Sequence, residues 1–548
     1  MAHALAGKPV QEQDIIDVQT IVDAYFDNVP DMTNPTQLVS FGTSGHRGTS
    51  VDGTFTDLHV AAITQAICDG RKQFGATGPI FVGQDTHALS QPALVTVLEV
   101  LAGNGVTAMV DCDMAFVPTP SVSRAIIRYN EEHDDKADGI IITPSHNPPD
   151  NGGIKYNTII GGPADTVVTK WIEMRANEYL TAYCESEDFK RISIDNIEPT
   201  AQVPYDYKGL YVGELGDVIN MEAIKAAGPK VLVDTLGGSG ASYWNAIKER
   251  YGLDLTIIHD DYDPTFSFMT YDHDGKVRMD CSSTYVMASV INRIGDFDLA
   301  VGNDPDYDRY GIVVSSGLIS ANTFLTLAAR YLFTTRGWKN KGVGKTVVCT
   351  TMIDKWAADA ETPVFEVPVG FKYFSQLLFD GAIGIGGEES AGASFLKKDG
   401  SVWTTDKDGM IMALLSMEIM AVMGKSALKM ADEFVEEFGN PSFGRIDAPC
   451  KKEQKQILKQ MSAELITATT VDGDPITNIR TTSLYNDMPI DGVRVETDKG
   501  WFVARPSGTE DLYKIYGESY KGDLGLVALL TAGEEIVNAA LNGTIETE

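Results

Sequence analysis

The chain has 548 residues, of which 43% are hydrophobic and 22% are charged. This composition is ordinary for a globular protein, and the length exceeds the ~250–300 residues at which a single core stops growing. Acidic residues outnumber basic residues by 77 to 44, for a net charge of −33, which disfavours nucleic acid and anionic membranes as partners. We therefore expect several domains and, if the substrate is anionic, basic side chains gathered at one site.

Hydropathy and cysteine spacing favour a cytoplasmic location. No apolar run approaches the ~20 residues that a membrane helix needs, and the N-terminal residues lack the apolar core of a signal peptide. The six cysteines contain no CxxC pair, and their shortest separation is the 44 residues from Cys68 to Cys112. Scattered reduced thiols are the simpler interpretation, so we expect a cytoplasmic enzyme with no membrane partner.

One pattern of predicted elements recurs three times along the chain. Each copy is a short apolar strand, a polar turn, a helical stretch and a second strand, and the copies begin at Pro79, Pro229 and Gly344. Strands that alternate with helices indicate βαβ units and a largely parallel sheet. The copies are more than 100 residues apart, which is too far for a solenoid and indicates three similar domains in series.

The last part of the chain follows a different pattern. It carries an acidic helix, short strands in GVRVETDKGWFVARPS and a closing helix at LGLVALLTAGEEIVNAAL, which favours a smaller α+β domain. The predicted fold is therefore three similar mixed-sheet α/β domains followed by a C-terminal α+β domain. The predicted bounds are residues 1–205, 206–318, 319–438 and 439–548.

The most informative segment is TPSHNPPDNGGIKYN, residues 143–157, which follows an apolar strand. Open α/β sheets bind ligands at the C-terminal ends of strands, and the prolines and glycines give a shaped loop with free backbone N–H groups. Ser145 offers a nucleophilic hydroxyl, His146 a proton acceptor and Lys155 a cation. On composition alone, a proline-rich turn with an incidental serine is the simpler interpretation, because no GxSxG elbow is present.

A second loop, DPDYDRYG at residues 304–311, also follows an apolar strand. Asp304, Asp306 and Asp308 occupy alternate positions, so their carboxylates can converge on one hard cation. A calcium-binding EF-hand is excluded, because its sixth position requires glycine and is Arg309 here. A Mg²⁺ site with positions left for phosphate oxygens remains, and an arginine among the acids makes a merely solvated turn the weaker interpretation.

Four shorter segments are weak signals when each is taken singly. An arginine beside hydroxyl groups and a glycine is a plausible phosphate site, and carboxylates with a hydroxyl can bind sugar hydroxyls. The GEES segment is equally compatible with a helix N-cap. The segments and their candidate residues are FGTSGHRG (Arg47), GFKY (Lys372), GEES (Glu388 and Ser390) and RPSGTE (Arg505, Ser507, Gly508 and Thr509).

Two glycine-rich segments imitate nucleotide-binding motifs. In GVGKT, residues 342–346, the first glycine of a P-loop would fall at Lys339, and the segment is predicted to precede its strand rather than follow it. In GGSG, residues 237–240, the GxGxxG spacing is absent, so a turn is the better interpretation than a dinucleotide site.

The ordered set TSGHRG, TPSHNPPDNGGIKYN, DPDYDRYG, GFKY, GEES and RPSGTE resembles the α-D-phosphohexomutase superfamily. It extends from residue 43 to residue 510, nearly the whole chain, and it is specific as a set. The resemblance implies a heart-shaped architecture of four domains. GEES and GGIKYN resemble the bacterial glucose-phosphate branch, because mutases for mannose and glucosamine phosphates typically carry GExSGH, whereas Ala391 and Gly392 follow Ser390 here.

The resemblance also implies a role for each motif residue. Ser145 would carry a phosphate, and one oxygen of that phosphate would complete a Mg²⁺ site. The implied metal ligands are Ser145, Asp304, Asp306 and Asp308. The implied catalytic residues are Ser145, His146 as a supporting neighbour, Lys155 for proton transfer, Arg47, and Arg309 on the transferring phosphoryl group. Sugar contacts would come from Lys372, Glu388 and Ser390, and the non-reacting phosphate would bind Arg505, Ser507, Gly508 and Thr509.

The activity implied by the resemblance is the interconversion of glucose 1-phosphate and glucose 6-phosphate. It would run through a phosphoserine enzyme, with Mg²⁺ as cofactor and glucose 1,6-bisphosphate as intermediate and activator. The only expected partner is a small-molecule sugar phosphate, bound by a monomer or homodimer. A C-terminal domain that opens and closes would let the bisphosphate reorient without escaping.

Two alternatives remain open. The chain could be a mutase for another sugar, such as mannose or N-acetylglucosamine phosphate. It could also be an inactive relative that serves as a binding or scaffold protein. The intact serine, the three aspartates and RPSGTE argue against a scaffold, which need not retain them all.

Overall fold

The computed structural model describes residues 2–42, 45–184, 189–508 and 512–542. The chain forms two compact units. The first unit contains Met1–Ala321, Phe374–Ala382 and Ser390–Leu428, and the second contains Asn322–Tyr373, Ile383–Glu389 and Lys429–Glu548.

The first unit begins with an α/β domain built on a six-stranded sheet. Its elements are α1 (Val18–Asp27), β1 (His46–Thr49), α2 (Asp57–Gly70), β2 (Ile80–Gln84), α3 (Ser90–Gly103), β3 (Ala108–Asp111), α4 (Thr119–Glu132), β4 (Asp138–Ile142), β5 (Asn151–Asn157), α5 (Thr166–Cys184) and β6 (Gln202–Tyr205). The strand order is β1-β5-β4-β2-β3-β6. β2, β3, β4 and β6 are parallel, whereas β5 is antiparallel to β4 and β1.

The same unit continues with a second, five-stranded sheet. Its elements are α6 (Tyr207–Glu214), α7 (Met221–Ala227), β7 (Val231–Asp234), α8 (Ala241–Tyr251), β8 (Leu255–Ile258), α9 (Ala288–Ile291), β9 (Leu299–Asn303), β10 (Tyr310–Val314) and β11 (Gly317–Leu318). The strand order is β11-β10-β9-β7-β8. β9 and β10 form an antiparallel hairpin, and its connecting loop is the aspartate-rich segment 304–309.

The third copy of the predicted pattern is also present. Its elements are α10 (Ala321–Arg336), β12 (Gly342–Thr346), α11 (Met352–Asp359), β13 (Val364–Val367), α12 (Lys372–Phe379), β14 (Ile383–Gly387), β15 (Ala393–Phe395), α13 (Gly409–Met423) and α14 (Ala427–Phe438). β12 runs parallel to both β13 and β14. The segment GVGKT forms β12 itself, so the expectation that it precedes its strand is wrong, and its backbone is used in the sheet rather than in a phosphate loop.

The C-terminal part of the second unit is an antiparallel sheet with two helices. Its elements are β16 (Ser442–Pro449), α15 (Lys452–Lys459), β17 (Thr470–Val471), β18 (Asp474–Thr482), β19 (Pro489–Thr497), β20 (Gly500–Pro506), β21 (Leu512–Ser519) and α16 (Gly522–Leu541). The strand order is β16-β21-β20-β19-β18-β17. The predicted combination of mixed α/β domains and a C-terminal α+β domain is therefore confirmed, while the exact domain bounds stay predictions.

Within the second unit, the C-terminal sheet packs against the loop that follows β12. Val347 and Val348 lie in one apolar cluster with Trp501 and Val503 of β20. Nearby, Arg480 of β18 makes a bidentate ion pair with Glu366 of β13, and both side chains are buried. A bidentate arginine–carboxylate pair fixes relative orientation as well as distance, so the two parts of this unit have a specific register.

By length and composition, one helix of the described residues, α16, is apolar enough to cross a membrane. The core helix of a soluble protein has the same properties. Here Leu529 and Val537 are buried against Phe502 and Ile515 of the C-terminal sheet. The buried apolar side chains of α16 thus cover the sheet, and this helix is an element of a packed domain.

A buried histidine links the stability of the first sheet to pH. His59 of α2 is fully buried, its Nε2 donates to the Gln37 carbonyl at 2.8 Å, and its Nδ1 accepts the Thr56 N–H at 3.2 Å. Burial, with a smaller contribution from His46, lowers the pKa of His59 to about 3. The folded state therefore disfavours the proton, and the stability that neutral His59 contributes is lost as pH falls from about 6.5 towards 3.

We expect His59→Gln to weaken this pH dependence, because glutamine retains a donor and an acceptor but does not titrate. Below pH 6.5 the histidine contribution to stability falls by about 1.4 kcal/mol per pH unit. Urea unfolding at pH 7.5 and pH 5 measures the change in the free energy of unfolding. His133→Gln is the matched control, because His133 is exposed. Equal loss of stability in wild type and His59→Gln would contradict the assignment.

Candidate active site

The loop that follows β4 places Ser145 in a strained backbone conformation. Ser145 has φ of +62°, in the left-handed region that costs a residue with a Cβ about 1–2 kcal/mol, and it is only 1% exposed. The loop lies close to β5, since a Cβ on Gly153 would come within 2.2 Å of the Thr143 carbonyl oxygen. Glycine in GGIKYN is thus a requirement of this close approach.

The hydroxyl of Ser145 contacts one aspartate and one histidine. Its Oγ donates to Asp304 Oδ2 at 3.0 Å and lies 3.3 Å from His146 Nδ1. The other ring nitrogen of His146 is 4.0 Å from Asp280 Oδ2. Burial, followed by the charge of Arg309, lowers the pKa of His146 well below its ordinary range. A neutral imidazole beside a buried hydroxyl is the form that can accept a proton.

Three buried carboxylates converge in the loop between β9 and β10. Ligand oxygens of Asp304, Asp306 and Asp308 all lie within 4.8 Å of one another. Burial and repulsion from the other two aspartates raise the pKa of Asp304 well above its ordinary value. Among the described residues, Asp306 Oδ1 and Asp308 Oδ1 have no hydrogen-bond partner. Orphaned buried carboxylate oxygens are unfavourable, and hard oxygen ligands in this arrangement fit a divalent cation such as Mg²⁺.

Two lysines partly neutralise this acidic cluster. Lys155 Nζ lies 2.6 Å from Asp306 Oδ2 and 3.2 Å from Asp308 Oδ2, and Lys407 Nζ lies 2.9 Å from the same oxygen of Asp308. Burial opposes the charge of Lys155, but Asp306 and Asp308 outweigh it and raise its pKa. Burial likewise opposes ionisation of Asp308, but Lys407 and Lys155 lower its pKa. The charged forms of Lys155 and Asp308 are therefore both favoured in this pair.

Lys407 is not among the residues predicted from the sequence. It lies in TTDKDGM, where the flanking acids suggest a solvated turn. The turn instead packs on the aspartate loop, because the Gly409 N–H donates to the Tyr307 carbonyl at 2.9 Å and a Cβ on Gly409 would meet the Arg309 carbonyl oxygen at 2.0 Å. Gly409, directly after DKD, is the residue whose small size this close packing requires.

The two predicted arginines, Arg47 and Arg309, both lie near the aspartate cluster. The Arg309 N–H donates to Asp304 Oδ1 at 2.9 Å, and its guanidinium lies 3.9 Å from both Asp280 and Asp308. Arg47 of β1 donates from Nη1 to Asn147 Oδ1 at 3.3 Å. Arg47 thus contacts the loop that carries Ser145, and Arg309 contacts the aspartates.

Three further residues support the site and were missing from the sequence analysis. Thr119, the first residue of α4, donates its hydroxyl to Asp306 Oδ2 at 2.9 Å and its N–H to the Asp306 carbonyl at 2.9 Å. Asp85 accepts the Thr143 hydroxyl, and His87 pairs with Asp85. None of the three belongs to a motif. The Asp306 partner of Thr119 is 187 residues away, and the Thr143 partner of Asp85 is 58 residues away. Spacing along the chain gives no signal for such contacts.

The remaining predicted residues divide between the units. Ser390 belongs to the first unit. Lys372 begins α12, Glu388 follows β14, and Arg505 is the second-last residue of β20, all in the second unit. Ser507 is buried and its N–H donates to the Leu512 carbonyl at 2.8 Å, while Gly508 is exposed. Thr509 lies outside the described residues.

Comparisons with known proteins identify the family to which the chain belongs. Family models match four successive parts of the chain: "Phosphoglucomutase/phosphomannomutase, alpha/beta/alpha domain I" at residues 38–182, domain II at 210–317, domain III at 320–438 and the C-terminal domain at 447–524. They confirm the predicted resemblance and the four-domain organisation.

Individual relatives extend the match over almost the whole chain. A protein named phosphoglucomutase from Komagataeibacter xylinus is 46% identical over 539 residues, 97% of each chain. Phosphoglucomutase 1 of Saccharomyces cerevisiae is 27% identical over 88% of each chain. Two solved structures share the fold. The open form of the exocytosis-sensitive phosphoprotein parafusin from Paramecium has a TM-score of 0.72 at 20% identity, covering 94% of this chain and 96% of that one. A phosphoglucomutase/phosphomannomutase family protein from Burkholderia thailandensis has a TM-score of 0.67 at 21% identity, covering 91% and 98%. The chain belongs to the phosphoglucomutase/phosphomannomutase family.

Proposed function

We propose that this chain is a phosphoglucomutase, which interconverts glucose 1-phosphate and glucose 6-phosphate through a phosphoserine at Ser145 and a glucose 1,6-bisphosphate intermediate. The observation that carries the proposal is the buried hydroxyl of Ser145 at 3.0 Å from Asp304, within a cluster of three aspartates. A serine held at a paired acidic and basic site can receive and return a phosphoryl group. The relative that is 46% identical bears the same activity in its name.

The acidic cluster is proposed to hold Mg²⁺. Asp304, Asp306 and Asp308, with one phosphate oxygen on Ser145, would be its ligands. When bound, the ion would neutralise charge on the transferring phosphoryl group. The two orphaned carboxylate oxygens support this assignment, and glucose 1,6-bisphosphate would serve as intermediate and activator.

Side chains of the first unit supply the other roles. Arg309 and Arg47 would stabilise the phosphoryl group in the transition state, since guanidinium groups match phosphate oxygens. Lys155, which its aspartate partners keep protonated, would hold a proton at Nζ for the departing oxygen. His146 Nδ1, at 3.3 Å, would take the Ser145 hydroxyl proton.

Substrate recognition is proposed for the other motif residues. Glu388, Ser390 and Lys372 would bind the sugar, and Arg505 with Ser507, Gly508 and Thr509 would bind the phosphate that does not react. To bind the phosphate that does not react, the protein needs hydrogen-bond donors and positive charge but no nucleophile. RPSGTE contains an arginine and hydroxyl groups that meet this need. A cytoplasmic location and a monomeric or homodimeric state remain predictions.

A mutase for another hexose phosphate is the second candidate, because the matching family includes phosphomannomutases. The test is the ratio of kcat/KM for the 1-phosphates of glucose, mannose and N-acetylglucosamine. A coupled assay of glucose 6-phosphate formation, with and without Mg²⁺, tests the main proposal. A higher kcat/KM with mannose 1-phosphate than with glucose 1-phosphate would identify mannose phosphate as the substrate. The proposed mechanism would remain the same.

The first prediction is that Ser145→Ala abolishes nearly all turnover without unfolding the protein. Intact-protein mass spectrometry should find one phosphate on wild type after incubation with glucose 1,6-bisphosphate, and none on the variant. Ser416→Ala is a matched control, because Ser416 is also buried and its hydroxyl donates only to the Ala413 carbonyl in the described structure. A Ser145→Ala enzyme with normal kcat would exclude a phosphoserine mechanism.

The second prediction concerns the metal. Chelation should abolish turnover, and Asp306→Asn should weaken Mg²⁺ binding, measured by calorimetry, together with kcat, because an amide is a poorer ligand than a carboxylate. Asp138→Asn is the control, since Asp138 is buried but pairs with Arg71; it should lower stability and leave Mg²⁺ affinity unchanged. Undiminished turnover after chelation would mean that the aspartates are structural.

The third prediction is that Arg505→Ala mainly raises KM for glucose 1-phosphate. A charged hydrogen bond to phosphate contributes about 1.5–3 kcal/mol, which corresponds to about a 10- to 150-fold change. The variant should also release more free glucose 1,6-bisphosphate during turnover. Arg330→Ala, which removes an exposed arginine paired with Glu437, is the control. If neither quantity rises, RPSGTE does not bind the non-reacting phosphate.

A further inference from the structure

The left-handed backbone of Ser145 requires support from its neighbours. Non-glycine residues keep such a conformation only where surrounding contacts determine it. The Ser145 N–H donates to Thr143 Oγ1 at 2.7 Å. This hydrogen bond joins two residues of the same turn. It can hold the Ser145 backbone in place only if the Thr143 side chain is itself held in place.

Thr143 is fixed by a buried carboxylate on the neighbouring strand. Its hydroxyl donates to Asp85 Oδ2 at 2.5 Å, which leaves the hydroxyl lone pair to accept the Ser145 N–H. Asp85 follows β2, its N–H donates to the Ile142 carbonyl at 3.0 Å, and its Oδ1 accepts the Ser90 hydroxyl at 2.6 Å. The parallel pairing of β2 with β4 therefore brings Asp85 beside the serine loop.

His87 joins the two sides of that loop. Its Nδ1 lies 2.9 Å from Asp85 Oδ2, and its Nε2 lies 3.0 Å from the carbonyl oxygen of Asn147. Both partners are acceptors, so both ring nitrogens donate and the ring is an imidazolium paired with the Asp85 carboxylate. Both side chains are fully buried. The pair thus contacts the loop on both sides of Ser145. Asp85 contacts Thr143, two residues before it, and His87 contacts Asn147, two residues after it.

These groups act on the backbone and not on the reacting atom. In the described structure the hydrogen bonds of Ser145 Oγ go to Asp304 and His146. We propose that His87 is a positioning residue, which acts with Asp85 and Thr143 to hold Ser145 in the one conformation that directs its Oγ to the aspartates. The proposal rests on the proposed function, in which that Oγ receives the phosphoryl group.

Thr143→Val and Thr143→Ser provide the main test. Valine has the shape of threonine but neither accepts the Ser145 N–H nor donates to Asp85, whereas serine does both. Misplacement of a reacting atom by about 1 Å costs about 10²-fold in rate. We therefore expect Thr143→Val to lower kcat, and the rate of phosphoryl transfer from glucose 1,6-bisphosphate to Ser145, by about 10²-fold with KM changed less than threefold. Thr143→Ser should recover most of both rates.

Thr96→Val is the matched control for loss of a buried hydroxyl. Thr96 in α3 is fully buried and donates to Asp57 Oδ1 at 2.7 Å, and its partners lie outside the serine loop. This variant should lower the unfolding temperature but not kcat. His87→Gln is an independent variant: glutamine can donate to Asp85 or to Asn147 but not bridge them, and we expect kcat to fall about tenfold, as for the loss of one hydrogen bond to a charged group.

The outcomes separate this proposal from the proposed function. Absence of both phosphoserine and turnover in wild type overturns the proposed function and this inference with it. A phosphorylated, active wild type with unchanged kcat in Thr143→Val and His87→Gln overturns the positioning role alone. So does a Thr143→Ser enzyme as slow as Thr143→Val. If Thr143→Val fails to fold, His87→Gln decides by the same kcat and KM criteria.

Discussion

The site depends on the balance of charge around three buried aspartates. Carboxylates that are removed from water must be paired, hydrogen-bonded or bound to a cation, because an isolated buried charge costs several kcal/mol. Lys155, Lys407 and Arg309 supply the opposite charge, and each comes from a different place in the fold: β5, the turn before α13 and the aspartate loop itself. Folding of the first unit therefore requires the residues of the site to assemble together.

This requirement explains how a chain with a net charge of −33 can attract a sugar phosphate. The electrostatic field of the whole protein repels anions. Close to the site, however, the nearest charges dominate that field, because physiological salt screens charges beyond about 8 Å. Arg47, Lys155, Arg309 and Lys407 all lie around Ser145 and the aspartate loop. These basic side chains offset the aspartates locally, so this region is less negative than the chain as a whole.

Sequence pattern indicated which residues lie together where their chemistry coincides with their place after a strand, as for Ser145 and Asp304. Ser145 and the aspartate loop follow apolar strands, and ligand sites at the C-terminal ends of strands are a property of the fold class. Lys407 could not be predicted in this way, since it contacts an aspartate 99 residues earlier from a turn that resembles a solvated one. Asp85 and His87 lie in the polar turn of the first repeated unit, where sequence pattern distinguishes a turn from a strand but not a supporting residue from a surface one. The φ of Ser145 carries no local signal either, because serine is not a residue that favours this region.

The charge count also gives a reason for a metal site completed by phosphate. Asp304, Asp306 and Asp308 face Lys155, Lys407 and Arg309, so acidic and basic side chains already offset one another in the cluster. A divalent cation alone would add two uncompensated charges to a buried region, and a phosphoryl group alone would add about two of the opposite sign. Under the proposed function the charges of the divalent cation and the phosphoryl group would cancel, so each would make binding of the other more favourable. The oxygens of Asp306 and Asp308 that have no hydrogen-bond partner in the described structure would be available to such a cation, and the phosphoryl group would be held on Ser145, whose hydroxyl lies 3.0 Å from Asp304.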